Sequence, residues 1–154
     1  MARFSAQWCD RFMRLADEVA SWSKDPKGGV GAVLVDDRKR VIGVGFNGFP
    51  DRIPDNPALL ADQEAKLPRM IHAEMNAVLN AVAPVHGSTM FTTLAPCAEC
   101  AKLLIQAGVI AVYRRPHPEH RHKSWTESFR IAEVILGEAG VEVGTVAPKP
   151  GSGD

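Results

Sequence analysis

Two short stretches of the chain carry metal-binding chemistry, His72-Ala73-Glu74 and Pro96-Cys97-Ala98-Glu99-Cys100. Together they offer one imidazole, two thiols and a carboxylate set apart from them. Three protein ligands with an open fourth position make a catalytic zinc site, whereas a structural site closes with four. A fourth Cys or His would have to be Cys9, His86, His117, His120 or His122, and none stands at a helpful spacing. Cys97 and Cys100 are one helical turn apart, so both sulfurs can face one point. Pro96 suits the start of that helix, where its missing N–H costs nothing. The positive end of the helix dipole favours thiolates there. His72 supplies the third ligand from the opposite side. Glu74, two residues further on, can reach a bound water without joining the metal and can move its proton to a substrate. Taken alone, C-x-x-C reads equally as a redox pair or as half of a structural zinc site. The conjunction of the two stretches, each opening a helix after an extended segment, favours catalysis.

The surrounding elements must bring these residues together. Trp8, Phe12, Leu15, Val19 and Trp22 fall at helical spacing and predict a first amphipathic helix packed on the core, with Cys9 an inert buried thiol beside the stripe. Val30 to Val35 and Val41 to Phe46 read as a strand hairpin around the polar turn 36–40. The stretch from Asn47 to Pro68 holds Pro50, Pro54, Pro57 and Pro68, with room for one or two helical turns between Leu59 and Lys66. A connection this long is often a lid or binding loop; a functionless insertion fits its composition equally. Helices are predicted over Met70–Val82, over Cys97–Ala107 and around Trp125, Phe129, Ala132 and Leu136. Strands are predicted over Ser88–Thr93, Val109–Tyr113 and Val141–Val146. A hairpin followed by alternating helices and strands gives a three-layer α/β/α sandwich with a five-stranded mixed sheet. Right-handed crossovers make the later strands parallel. Both helix starts then meet at the carboxyl ends of neighbouring strands, where ligands collect.

Composition narrows the function classes. The 154 residues carry 18 Lys and Arg against 18 Asp and Glu, so a generally basic nucleic-acid binder is not expected. Three cysteines, two of them in one C-x-x-C, are no disulfide framework and suit a reducing, cytoplasmic setting. No stretch reads as a membrane span, and the acid-containing start fits neither a signal nor a transit peptide. Residues 1–147 are expected to form one domain, and 148–154 a flexible tail.

H-x-E followed by P-C-x-x-C is the pattern of zinc-dependent base deaminases. With these residues in view, the chain resembles the cytidine deaminase-like superfamily, and more closely the deoxycytidylate (dCMP) deaminase family. The resemblance runs from Trp22-Ser23-Lys24-Asp25-Pro26 to Ala139-Gly140-Val141. It is carried also by Val30-Gly31-Ala32-Val33, Gly45-Phe46-Asn47-Gly48, His72-Ala73-Glu74-Met75-Asn76-Ala77, Cys100-Ala101-Lys102 and Gln106-Ala107-Gly108. Asn76 and the Cys-Ala-Lys run look more like dCMP deaminases than like tRNA adenosine deaminases.

The resemblance implies a cytidine deaminase-like fold and hydrolysis of dCMP to dUMP and ammonia, which supplies dUMP for thymidylate synthesis. It implies one zinc per chain on His72, Cys97 and Cys100, with Glu74 as proton shuttle. By the same resemblance Asn47 binds the sugar, the backbone at Ala73 holds the pyrimidine carbonyl, and Ser23 and Lys24 lie near the phosphate. Arg115 and Arg121 are further phosphate candidates, because Arg114, Arg115, Arg121 and Lys123 outweigh Glu119 in a segment that follows the fourth strand. Homo-oligomers, as hexamers or dimers, and control by dCTP and dTTP are implied as well. The chain departs from the family pattern at Gly29, where a basic residue is frequent, at Phe46, where Tyr is frequent, and in its longer, His-rich 114–123 segment. The alternative functions are a deaminase of another cytosine nucleotide or of a polynucleotide base, and a catalytically silent nucleotide- or zinc-binding module.

Overall fold

The computed structural model describes residues 3–118 and 123–150. Five strands form one sheet in the order β2-β1-β3-β4-β5: β1 Gly31–Val35, β2 Val41–Phe46, β3 Thr89–Thr92, β4 Ala111–Arg114 and β5 Glu142–Thr145. β1 runs antiparallel to both β2 and β3, while β3, β4 and β5 are parallel to one another. The mixed sheet expected from the hairpin and the later alternation is the one observed.

Period-two alternation explains the layers. Val33 and Val35 of β1, Phe91 of β3, and Ala111 and Tyr113 of β4 face helix α1, Ala6–Ala20. Ala32, Leu34, Met90 and Val112 point the other way, toward α4 (Ala73–Leu79), α5 (Ala98–Ala107) and α6 (Lys123–Glu138). Every residue of β1, β3 and β4 is buried, as strands covered on both faces must be. Ser5 caps α1 by accepting a hydrogen bond from the N–H of Trp8. Phe12, Met13, Ala16 and Val19 make the buried stripe of that helix, and Cys9 is buried beside them. Trp22, expected at the end of the stripe, is not in it. The helix stops at Ala20, so Trp22 leaves the helical period, is 49% exposed, and packs edge-on to Phe46 at 6.2 Å.

The connection after β2 contains more structure than two loose turns. Asn56 caps α2 (Pro57–Ala61), with Pro57 in its first turn. Asp62 then takes an extended conformation and caps α3 (Gln63–Lys66), which splits the helix in two. A 3₁₀ turn, Leu67–Arg69, follows. Helix α4 is shorter than the Met70–Val82 expected. Ile71 is extended and exchanges two hydrogen bonds with Gly48, at 3.1 and 2.8 Å, so helical geometry cannot begin until Ala73. The helix lies close on β2. A Cβ on Gly45 would sit 2.3 Å from the Ala77 nitrogen and 2.5 Å from the Ala73 oxygen. Asn76 and Asn80 reach from α4 to donate to the carbonyls of Phe46 and Val44 on this edge strand. Lys149, in the segment expected to be a loose tail, is paired with Asp10 at 3.1 Å. No helix among the described residues is long and apolar enough to cross a membrane.

Candidate active site

The two motifs meet because both open helices at one edge of the sheet. α4 follows β2 and α5 follows β3. These strands are not direct neighbours, as the sequence led us to expect. The hairpin inserts β1 between them, antiparallel to both, so their carboxyl ends flank the start of β1. His72 is the N-cap of α4 and Cys97 the N-cap of α5; both are extended, with ψ 153° and 171°. The His72 side chain makes no capping bond, so its ring is available to the site. Its Nδ1 lies 3.3 Å from Cys100 Sγ and 3.4 Å from Cys97 Sγ. The three ligating atoms all lie within 4.8 Å of one another. Ser128 of α6 accepts the first N–H of α5, from Ala98, at 2.9 Å, and so braces the turn that carries the cysteines.

Two thiols and an imidazole converging on one point fit zinc, whose bonds to sulfur and nitrogen are about 2.0–2.3 Å long. Among the described residues no other group of three such side chains converges. The sulfurs are unequal. The Cys97 thiol is drawn down to about 4, first by its hydrogen bond with Cys100 and then, against the pull of burial, by His72. Cys100 is pushed up by the same pairing and by burial. Its contact with Cys97 raises the His72 imidazole above its ordinary value, with burial opposing.

Glu74 is the second residue of α4, in its first turn, and is only 4% exposed. Burial raises its carboxyl above the usual range. The hydroxyl of Thr92, the last residue of β3, lies 3.2 Å from Glu74 Oε1 and 2.9 Å from the Leu94 carbonyl, the two acceptors its single proton can reach. A carboxyl buried in this way has its basicity raised toward what proton transfer needs.

These groups open onto a cavity of about 770 Å³. His72, Ala73, Glu74 and Cys97 form one side, Trp125 and Phe129 give an apolar wall, and Asp25, Asn47, Gln63 and Lys66 give a polar one. The Trp125 ring stands 6.1 Å from that of His72. Asn47 is held on three sides. Its Oδ1 accepts from the Val30 N–H at 2.8 Å, its Nδ2 donates to Asp25 at 3.3 Å, and its carbonyl accepts from Ser23 Oγ at 2.8 Å.

The other sequence candidates are placed elsewhere. Ser23 is spent on Asn47 and on the N–H of Asp25, and it does not line the cavity. Lys24 is exposed and pairs with Asp55 at 3.0 Å. Arg115 donates to the Val146 carbonyl at 3.0 Å and pairs with Asp17, beside a different cavity. Arg121 lies outside the described residues. Gly29 backs onto α1 so closely that a Cβ would stand 2.0 Å from the Ala20 oxygen, so no side chain fits there. Sequence reasoning missed Gln63, Lys66 and Thr92, which no spacing marks. It placed Trp125 on a helix without assigning it to the site, and it passed over Asp25 inside the very run it singled out.

Comparison with known proteins agrees with this geometry. Residues 6–114 match the family model described as the cytidine and deoxycytidylate deaminase zinc-binding region. The deoxycytidylate deaminase of Mus musculus is 36% identical over 149 residues, covering 93% of this chain and 82% of that one. An uncharacterised deaminase of Aliivibrio fischeri is 38% identical over 138 residues, covering 90% and 92%. The crystal structure of the dCMP deaminase of cyanophage S-TIM5, in complex with dCMP and dUMP, superposes with a TM-score of 0.76 at 27% identity, covering 92% of this chain and 98% of that one. With a zinc-type donor set converging beside a buried carboxyl, and with the family model matched over residues 6–114, the chain belongs to the cytidine and deoxycytidylate deaminase family.

Proposed function

We infer that the protein is a zinc-dependent hydrolase that converts dCMP and water to dUMP and ammonia. The observation that carries this reading is the placement of Glu74: its buried carboxyl lines one cavity with His72 and Cys97, two members of the zinc-type group that Cys100 completes. A module that only binds zinc has no use for such a group. His72, Cys97 and Cys100 would hold the metal, which when bound polarises water so that it ionises near neutral pH.

The chain's own residues account for the rest. The water oxygen adds to C4 of the cytosine, and Glu74 accepts the proton it gives up. Glu74 passes that proton to N3, takes the second, and delivers it to the exocyclic amine, so that the C4–N bond breaks and ammonia leaves. The Ala73 N–H is among the first four of α4, which have no partner within the helix, and it receives the pyrimidine carbonyl. Trp125 and Phe129 cover the base and exclude water. Asn47, locked by Val30 and Asp25, orients the sugar. Ser23 acts through Asn47 as a positioning residue, and Lys24 sits outside the cavity mouth.

The same reading takes residues 1–147 as one deaminase domain in a homo-oligomer, hexameric or dimeric, in the cytoplasm, with dCTP and dTTP as candidate effectors. Sedimentation, and assays with either triphosphate, read out those two points.

Ammonia release from cytidine, CMP, dCMP, dCTP and 5-substituted dCMP tests the substrate. The expected result is fastest turnover of dCMP. No ammonia from dCMP, with turnover of another member, would replace the substrate; no ammonia from any would leave a binding module.

A further inference from the structure

The polar wall of the cavity contains a buried cation. The side chain of Lys66 is 4% exposed, and its Nζ donates to Asp25 Oδ1 at 2.9 Å. An ammonium has three donors, and this is the one hydrogen bond Lys66 Nζ makes among the described residues. Asp25 has neutral partners besides Lys66. Its Oδ1 also accepts the Lys27 N–H at 2.9 Å, and its Oδ2 accepts Asn47 Nδ2. One helical turn before Lys66, on the same α3, the Gln63 side-chain oxygen is buried without a hydrogen-bond partner, and Gln63 lines the same cavity. Lys27 stands exposed at the rim. A buried acceptor without a partner and an ammonium with donors to spare are costly in an apolar setting. They are explained if a ligand with both hydroxyl and anionic groups completes the wall.

We propose that Lys66 is a specificity-determining residue that grips the phosphate of the nucleotide, so that the enzyme prefers a cytosine nucleotide over the nucleoside. The proposal rests on the deamination reading. Lysine is a compact point charge on a flexible stem. Lys66 can turn two of its N–H groups to a phosphate while Asp25 keeps its backbone and Asn47 partners. Gln63 accepts from a sugar hydroxyl, which a phosphate dianion cannot supply. Among the described residues, two cations singled out in the sequence are committed elsewhere: Lys24 to Asp55, and Arg115 to Asp17 and Val146.

The test compares dCMP with deoxycytidine, which lacks the phosphate, using the zinc-loaded protein. The readout is the ratio of kcat/KM for dCMP to that for deoxycytidine. In Lys66→Met this ratio is expected to fall at least about tenfold, the worth of one charge-assisted hydrogen bond. Lys66→Arg, which keeps the charge, should restore most of it. An unchanged ratio in Lys66→Met overturns the proposal, however much both rates fall. Removing the cation leaves Asp25 buried with one charge partner fewer, so Lys66→Met can fail to fold. In that event Asp25→Asn with Lys66→Met, which removes both charges, is read by the same ratio. If the wild-type protein does not deaminate dCMP, the deamination reading has failed instead. Calorimetric binding of dUMP against deoxyuridine, in wild type and Lys66→Met, then decides the role of Lys66 alone.

Discussion

His72 and Cys97 are 25 positions apart in the chain, yet His72 Nδ1 stands 3.4 Å from Cys97 Sγ. Each is the N-cap of its own helix. The cap position turns both side chains out of their helices and toward the same point. The N-terminal ends of the two helices add a positive field that favours thiolate over thiol. Metal affinity and helix geometry are thus set by the same two residues.

Cys97→Ala removes a ligand and the acceptor for the Cys100 N–H together. The expected outcome is a fall in zinc from one per chain to well below one, measured by metal analysis of purified protein. Full occupancy in Cys97→Ala would show that the metal is held elsewhere.

Asn47→Ala leaves the Val30 N–H without its acceptor and takes one donor from Asp25. An orphaned buried donor costs about 1–3 kcal/mol. Denaturant unfolding should show a loss of that size, and KM for dCMP should rise more than kcat falls. A Leu or Asp at this position cannot rescue both the donor and the acceptor role.

Gly45→Ala tests the seating of α4. The new Cβ meets backbone atoms of Ala73 and Ala77 at 2.5 and 2.3 Å, where no flexible side chain can give way. The helix that carries Glu74 must shift away from β2. Overpacking of this kind costs about 1–3 kcal/mol. Activity should drop beyond what the stability loss explains, with zinc retained in part.

Asp36 sets the pH behaviour of the hairpin. Loss of water pushes its carboxyl up, but N–H groups of Arg38 and Arg40 at 2.9 Å, and the Arg40 guanidinium at 2.6 Å, more than offset that and hold it below the ordinary value. A folded-state value below the unfolded one means a contribution to stability that is present above the unfolded pKa. It is lost as the pH falls through the folded one. The Tm difference between wild type and Asp36→Ala should therefore be full at neutral pH and shrink below about pH 4. A difference that grows in acid would contradict the sign.

Much of this was legible in the sequence, because the relevant signals are local. The β-branched runs placed all five strands to within two residues, and the unbroken apolar run of β1 matches its burial on both faces. His72, Cys97 and Cys100 were visible because metal chemistry needs those residue types at helical spacing. What escaped was set by long-range contact. Helix α4 starts late because Ile71 pairs with Gly48, and Trp22 is exposed because α1 ends two residues before it. Lys66 carried no local mark at all. Its partner Asp25 is 41 positions away, and only the folded connection brings the two together.

The most direct test of the central claim is conversion of dCMP to dUMP by the zinc-loaded protein and by Glu74→Gln at equal zinc content. The amide keeps the shape of the side chain and cannot accept the proton. The account predicts turnover by the wild type and a loss of at least about 10²–10⁴-fold in Glu74→Gln, with zinc and dCMP still bound. Turnover in Glu74→Gln close to that of the wild type would contradict it, because another group would then be moving the protons.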